Sequence, residues 1–482
     1  MNAQPDIVMI FMDDMGWRDL NCTGSTFYET PNIDALCRCG MRFDRAYAAC
    51  PVCSPSRASY LTGQSPARTG VTDWIDTLGV NHPMHGRLMD APYLHHIPRD
   101  AVTIPAVLRE NGYQTWHVGK WHLGTEEYYP EVFGYDVNIG GCWWGHPQKG
   151  YFSPWGIETL PDGPEGEYLT DRLTDEAIRL IQTADERPFY LDLWHYAVHT
   201  PIQAKEADIR YFERKARRLG LDRAEAIVAG EKHPTVEHGN DRVMRRTLQS
   251  DCAYAAMILN LDENIGRLVE ALKAAGRFEN TLIVFTSDNG GLSTAEGSPT
   301  CNLPAIEGKG WIYEGGTRVP MFAVWSGVIP SGTHTEVPVN TPDFFPTFLE
   351  AAGIAPKDNQ PCDGVSLMPV LRGKSISERA LYWHYPHYGN QGGRPASSVI
   401  LGRWKLIEFY EDHHLELYDL ENDISEQRNL ATEKAELAQQ LKLMLHKWLD
   451  SIGAKYPTPN AQMLNKGRGR HGSLIAKQIK WL

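Results

Sequence analysis

Apolar positions along the chain follow two patterns. Some form short unbroken runs of strand length, and others recur every three or four residues among polar ones. Asp6–Met12 (DIVMIFM) is of the first kind and predicts a central parallel strand buried on both faces. The runs at 188–196 (PFYLDLWHY), 281–287 (TLIVFTS) and 319–327 (VPMFAVWSG) predict three more buried strands, and 113–124 a strand leading into a loop. The second pattern predicts helices at 32–43, 56–64, 103–112, 171–184 and, longest, 254–276, which ends in glycine.

Buried strands alternating with amphipathic helices predict an α/β fold, a large, mostly parallel sheet flanked by helices. Residues 204–250 are charged, helical in pattern and poor in strands, which predicts a surface helical insertion. After about residue 375 the pattern becomes strand-dense: 379–385, 397–410 and 415–423 predict an antiparallel sheet, followed by a helix at 433–453. The expected division is therefore a catalytic domain over 1–375 and a smaller C-terminal α+β domain over 376–482. The basic stretch 465–482 is expected to dock on a neighbouring subunit of a homo-oligomer or to lie free as a tail.

Composition narrows the function. The 482 residues are too many for one small core, and 42% hydrophobic with 22% charged residues is ordinary for a globular enzyme. A net charge of −13 argues against nucleic acid, whose phosphates need a basic surface. It leaves open a small anionic substrate held in a locally cationic cleft. No apolar run approaches the roughly 20 residues of a membrane span. The N-terminus has no basic n-region, long h-region or cleavage site, so a cytoplasmic location is expected unless a leader has been removed. Nine irregularly spaced cysteines do not suggest a disulfide framework, and Cys37 and Cys39 lack the second close pair a zinc site needs.

Open α/β sheets carry their sites at the carboxyl ends of the strands. The first predicted strand ends in Asp13-Asp14 and the third in Asp288-Asn289. Three carboxylates and an amide on one edge suit a hard divalent cation, Ca²⁺ or Mg²⁺, better than zinc. Around the same edge fall Lys120 and His122 (GKWHLG), His195 and His199 (HYAVHTP), and Lys309 in a glycine-rich loop. Together they would make an anion pocket beside a metal.

The segment Cys53–Arg57, CSPSR, matches the C-x-P-S-R signature of the type I, formylglycine-dependent sulfatases. FMDDMGW, GKWHLG, TSDNGG and KGWIYEGGTRVP stand in order where that family has its other motifs, and the resemblance runs over roughly residues 5–460. It implies an alkaline-phosphatase-like fold and conversion of Cys53 to formylglycine by a maturation enzyme that reads Pro55 and Arg57. A hydrated aldehyde offers two hydroxyls on one carbon, one to attack sulfur and one to expel the sulfate afterwards. The resemblance further implies one calcium ion held by Asp13, Asp14, Asp288, Asn289 and the modified residue 53. Arg57 would orient the formylglycine; Lys120, Lys309 and His199 would neutralise the sulfuryl oxygens. His199 would protonate the leaving alcohol and His122 would take the second hydroxyl's proton. His195 is expected to be structural.

Two further stretches, 48–75 and 380–395, resemble bacterial carbohydrate sulfatases acting on galactose or N-acetylgalactosamine. They make Asp73, Trp74, His384, His387 and Arg394 candidates for substrate contact, with exo-action on glycosaminoglycan fragments and O-4 expected ahead of O-6. The competing expectations are a 2-O- or glucosamine-6-O-sulfatase, a formylglycine-dependent phosphodiesterase or phosphonate hydrolase, a broad arylsulfatase, and a sugar-binding pseudosulfatase.

Overall fold

A computed structural model describes residues 4–79, 83–355, 360–461 and 463. The basic segment 465–482, with its expected docking role, lies outside the described residues.

The chain builds an eight-stranded sheet around Asp6–Met12. Thr281–Ser287 and Phe189–Trp194 flank this strand, both parallel to it. Gln114–Gly119 and then Val137–Ile139 continue the parallel run on the Phe189 side. All of Ile7 to Met12 are fully buried. A strand whose alternate side chains are apolar and buried on both faces needs cover on both faces. Two groups of helices supply the packing. Pro31–Arg38, Leu169–Gln182 and Glu206–Leu219 pack on the long helix Cys252–Ala274, whereas Cys53–Thr62, Ile104–Glu110 and Phe344–Ala351 pack on one another.

The helix predicted over 32–43 ends at Arg38, and Met41–Phe43 is a strand. Two larger expectations also need correction. The fourth buried strand, Phe322–Val324, runs antiparallel to Thr281–Ser287 and pairs onward, again antiparallel, with Met41–Phe43. The sheet is thus mixed on that side, although still mostly parallel. The region 204–250 is only half helical. Glu206–Leu219 is a helix, but Ile227–Lys232 and Arg242–Arg246 form an antiparallel hairpin. Its charged residues hid the strand pattern because each strand has an exposed face, with Arg245 tied to Glu231 and Glu307.

The C-terminal part is a four-stranded antiparallel sheet, Leu381–Tyr385, Ala396–Leu401, Trp404–Phe409 and Leu415–Asp419 in that spatial order. Period-2 alternation gives it two apolar faces. Val399, Leu406 and Leu417 pack on Leu441, Leu445 and Leu449 of the helix Ala435–Ser451. Trp383, Ile400, Ile407 and Phe409 pack with Tyr47 and Ile312 of the main body. A buried ion cluster reinforces this seam, with Lys405 Nζ 3.0 Å from Glu314 and 2.9 Å from Glu426. Glu314 lies five residues after Lys309, so the C-terminal sheet helps to hold the lysine's loop.

Candidate active site

The parallel strands deliver their next residues to one edge. Met12 is in register with Ser287, and Trp194 with both Phe11 and Gly119. Asp13, Asp288, His195 and Lys120 therefore emerge side by side. Backbone bonds lock the splay: Asp288 N donates to Met12 O (3.1 Å) and Lys120 N to Trp194 O (2.7 Å).

The helix Cys53–Thr62 points its first turn at this edge. Pro55 fits there because the first turn's N–H groups have no partner inside the helix. Arg57 lies one turn on from Cys53, on the same face. It is fully buried, donates from Nε to Asp288 Oδ2 (2.9 Å), and lies over the rings of Phe11 and Trp194. Ser54 Oγ donates to His122 O (2.9 Å), tying the helix to the loop that carries the histidine.

Four charged contacts organise the centre. Lys120 Nζ donates to Asp13 Oδ2 (2.7 Å) and Lys309 Nζ to Asp14 Oδ2 (2.8 Å). Asn289 Nδ2 donates to Asp14 Oδ1 (2.8 Å) and Lys309 Nζ to His199 Nε2 (2.8 Å). Burial opposes the Asp14 anion, but Lys309 and His199 outweigh it and hold the carboxyl well below its usual range. For Lys309 burial is likewise outweighed, chiefly by Asp14, and the ammonium is held well above its ordinary value. Burial dominates at Asp13 and pushes its carboxyl up to about 8 despite Lys120.

These residues fit a cation. Asp13 Oδ1 and Asn289 Oδ1 are buried acceptors with no donor among the described residues, and a buried acceptor without a partner is costly. The unfilled atoms are oxygens, which suit a hard divalent ion, and ligand atoms of Asp13, Asp14 and His199 lie within 4.8 Å of one another. With Asp13 ionised, as a bound cation would favour, Asp13, Asp14 and Asp288 balance Lys120, Lys309 and Arg57, and a divalent ion would leave the centre positive and matched to an anionic substrate.

His122 faces residue 53. Its Nε2 is 2.9 Å from Ile75 O, which can only accept, so Nε2 carries the proton. Nδ1 is then the bare lone pair, 3.3 Å from Cys53 Sγ. Burial, then Lys120, pulls this imidazole well below its ordinary value, so it is neutral. Burial also pushes the Cys53 thiol up. A neutral thiol beside a neutral imidazole is not the thiolate pair of a cysteine nucleophile. His122 and Asp14 have φ of 60° and 62°, left-handed values that cost non-glycine residues energy and cluster at functional sites.

His199 Nδ1 is 3.0 Å from Thr200 O, which assigns the proton to Nδ1 and leaves Nε2 to accept from Lys309. Burial, then Lys309, pulls its imidazole well below the ordinary range. Cys53, His122, His199 and Lys309 all line one cavity of about 350 Å³.

Residues 5–354 match the family described as Sulfatase, and residues 307–454 match the C-terminal region of N-sulphoglucosamine sulphohydrolase. The chain belongs to the sulfatase family. It is similar to the N-acetylgalactosamine-6-sulfatase of Canis lupus familiaris, 31% identical over 426 residues, covering 83% of this chain and 71% of that one. It is also similar to the N-acetylglucosamine-6-O-sulfatase of Bacteroides thetaiotaomicron, 28% identical over 92% of this chain and 85% of the relative. Among solved structures it resembles Ps i-CgsB in complex with k-i-k-neocarrahexaose, with 30% identity, a TM-score of 0.74 and coverage of 92% of both chains.

In this sulfatase the expected residues divide by depth. Lys120, Arg57, Asp13, Asp14, Asp288 and Asn289 are buried behind the cavity lining, and Lys120 Nζ is held by Asp13 Oδ2. His195 is buried outside the lining, and burial pulls its imidazole down to about 3.

Of the expected substrate contacts only Trp74 lines the cavity. Asp73 is fully buried; it accepts from Trp74 N (2.8 Å) and from the Tyr385 hydroxyl (3.1 Å). His387 sits between Asp90 and Thr72, His384 bonds Ser397 and Lys455 O, and Arg394 pairs with Glu411. These four lie outside the lining.

The lining residues that sequence reasoning missed are Trp143, His146, Gln148, Glu296, Asn390 and Gln391, together with Gly145 and the run 75–78. The first three follow Val137–Ile139, a strand too short and too polar to read as buried. The signal was available in GCWWGHPQ, at the carboxyl end of that edge strand. His146 stacks on His199 with ring centroids 5.8 Å apart. Gly145 lets the loop approach: a Cβ there would stand 2.6 Å from His122 Cε1. Among the described residues no helix is long and apolar enough to cross a membrane.

Proposed function

We propose that this sulfatase removes the 6-O-sulfate from a terminal galactose or N-acetylgalactosamine unit of a sulfated glycosaminoglycan fragment, using formylglycine at position 53 and one calcium ion. The observation that carries the reading is the meeting of residue 53, His122, His199 and Lys309 at one cavity, backed by the acidic cluster. Two relatives named as 6-sulfatases, one of N-acetylgalactosamine, support O-6 over the O-4 expected from the sequence. A cavity of about 350 Å³ lies near the lower end for small-molecule sites, roughly 300–1,000 Å³. That size supports cleavage at a chain end.

Formylglycine supplies, once hydrated, two hydroxyls on one carbon, and the cation supplies charge that acidifies a neighbouring hydroxyl and polarises the sulfate. The chain's own residues manage charge and protons around these groups. Lys309 faces the sulfate from the cavity wall, and Lys120 adds to the field from beneath. As the S–O bond to the sugar breaks, the departing oxygen needs a proton, and the 2.8 Å Lys309–His199 pair holds one at the cavity face. His122 Nδ1, bare and aimed at residue 53, takes the proton of the remaining hydroxyl so that sulfate can leave.

The test is co-expression with a formylglycine-generating enzyme, a mass check on residue 53, and sulfate release from a panel. The panel contains 4-O- and 6-O-sulfated N-acetylgalactosamine and galactose, 2-O-sulfated uronate, 6-O-sulfated glucosamine and a phosphodiester. Release from the galacto-configured 6-sulfates is the expected result. Full conversion of residue 53 with turnover of the phosphodiester alone would overturn it.

A further inference from the structure

The cavity lining holds two carboxylates, Asp76 and Glu296. The sulfate end is cationic through Lys309 on its wall, with Lys120 and Arg57 behind it, and of the two carboxylates Glu296 is the solvent-exposed one. Its position is strained. Glu296 has φ 52° and Ser298 φ 46°, so two non-glycine residues around Gly297 hold left-handed backbone. Such conformations persist when the surroundings impose them, and they concentrate at ligand-binding segments.

The carboxylate is also held from two sides. Oε2 accepts from Thr200 Oγ1 (3.2 Å), the residue after His199. Oε1 accepts from Asn390 Nδ2 (3.2 Å) and Gln391 Nε2 (3.3 Å), in the loop that the C-terminal part sends to the cavity. That loop is itself pinned by the hairpin of the inserted region. His233 Nε2 lies 3.2 Å from Asn390 O, and a Cβ on Gly392 would stand 2.6 Å from Val243. The carboxylate thus has a fixed place and still faces open cavity.

We infer that Glu296 is a specificity residue that accepts hydrogen bonds from the hydroxyl or amide N–H groups of the sulfated sugar and repels a second anionic group on that sugar. The cavity is then polar end to end, cationic at the sulfate and anionic at Glu296. It fits a ring carrying one sulfate and otherwise neutral. A uronate or a disulfated ring would set two negative charges face to face. This inference rests on the carbohydrate reading above.

The experiment compares wild type, Glu296→Gln and Glu296→Asp on N-acetylgalactosamine 6-sulfate, on its 4,6-disulfated counterpart and on an aryl sulfate. A hydrogen bond to a charged acceptor is typically worth a factor of ~10–100. Wild type is expected to favour the monosulfated sugar over the disulfated one by about tenfold or more in kcat/KM. Glu296→Gln should lower kcat/KM for the monosulfated sugar by ~10–100-fold relative to the aryl sulfate and bring the mono-to-disulfated ratio towards one. Glu296→Asp, which keeps the charge, should keep most of that ratio. An unchanged ratio in Glu296→Gln, or no preference in wild type, overturns the assignment. If wild type turns over the aryl sulfate and neither sugar, the carbohydrate reading falls and the assignment with it.

Discussion

His122→Gln isolates one proton. In the folded protein Nε2–H is spent on Ile75 O and Nδ1 lies 3.3 Å from the side chain of residue 53. A glutamine amide can still donate to that carbonyl, which avoids the ~1–3 kcal/mol cost of a buried unpaired acceptor, but it has no basic lone pair. A positioned general base is typically worth a factor of ~10²–10⁴, or about 3–5 kcal/mol of barrier. His122 acts on residue 53 after the sugar or aryl alcohol has gone, so the residual kcat should not depend on the leaving group. The expected result is a fall in kcat of about that size, with an aryl sulfate and a sugar sulfate converging on one common kcat. Stopped assays on both substrates, beside a thermal melt to establish an intact fold, measure it. A wild-type kcat in folded His122→Gln, or a loss confined to the sugar, would refute the reasoning.

Three other outcomes follow from the same geometry. His199→Ala should do the reverse: the sugar sulfate, a poor leaving group, should lose far more kcat than the aryl sulfate, and equal losses would remove His199 from leaving-group protonation. Stripping divalent ions should lower both activity and melting temperature, because oxygens of Asp13 and Asn289 that receive no hydrogen bond remain buried. Calcium should restore both, and verified metal-free protein with full activity and an unchanged melt would exclude the cation. Asp192 is buried among the hydroxyls of Tyr60, Tyr135 and Tyr190, and burial outweighs these bonds to raise its carboxyl to about 7. A carboxyl raised on folding stabilises the protein below its unfolded value, near 3.9, and loses that contribution as pH rises through 7. Asp192→Asn should therefore flatten the decline in melting temperature between about pH 4 and 7, and an identical pH profile would contradict this.

The inner half of the site was readable in the sequence because it obeys a local rule. Residues next to the carboxyl ends of buried parallel strands share an edge whatever the rest of the chain does. Asp13, Lys120 and Asp288 each stand directly after such a strand, and Cys53 and Arg57 share a face through helical spacing. The apolar runs that announce those strands are unambiguous, since a strand buried on both faces carries no polar alternation. The same rule would have reached His146 and Gln148 had Val137–Ile139 announced itself, but an edge strand with half-buried side chains has little apolar signal.

The outer half depended on tertiary structure. Within WHYPHYGNQGGR the residues in the cavity lining are Asn390 and Gln391, and the expected His384, His387 and Arg394 lie outside it. His384 lies in a strand and points into bonds with Ser397 and Lys455, whereas Asn390 and Gln391 in the following loop reach the cavity. Which side of a loop meets a distant strand edge is set by contacts far apart in the chain, such as Trp383 to Ala48 and Val243 against Gly392. Proton positions belong here too: Ile75 O and Thr200 O assign the tautomers of His122 and His199, and no spacing in the sequence contains them. The sequence by itself determined which residue types surround residue 53, because they stand beside particular strands. The folded chain alone decided which sugar-facing groups surround it, because those come from loops whose meeting point is a property of packing.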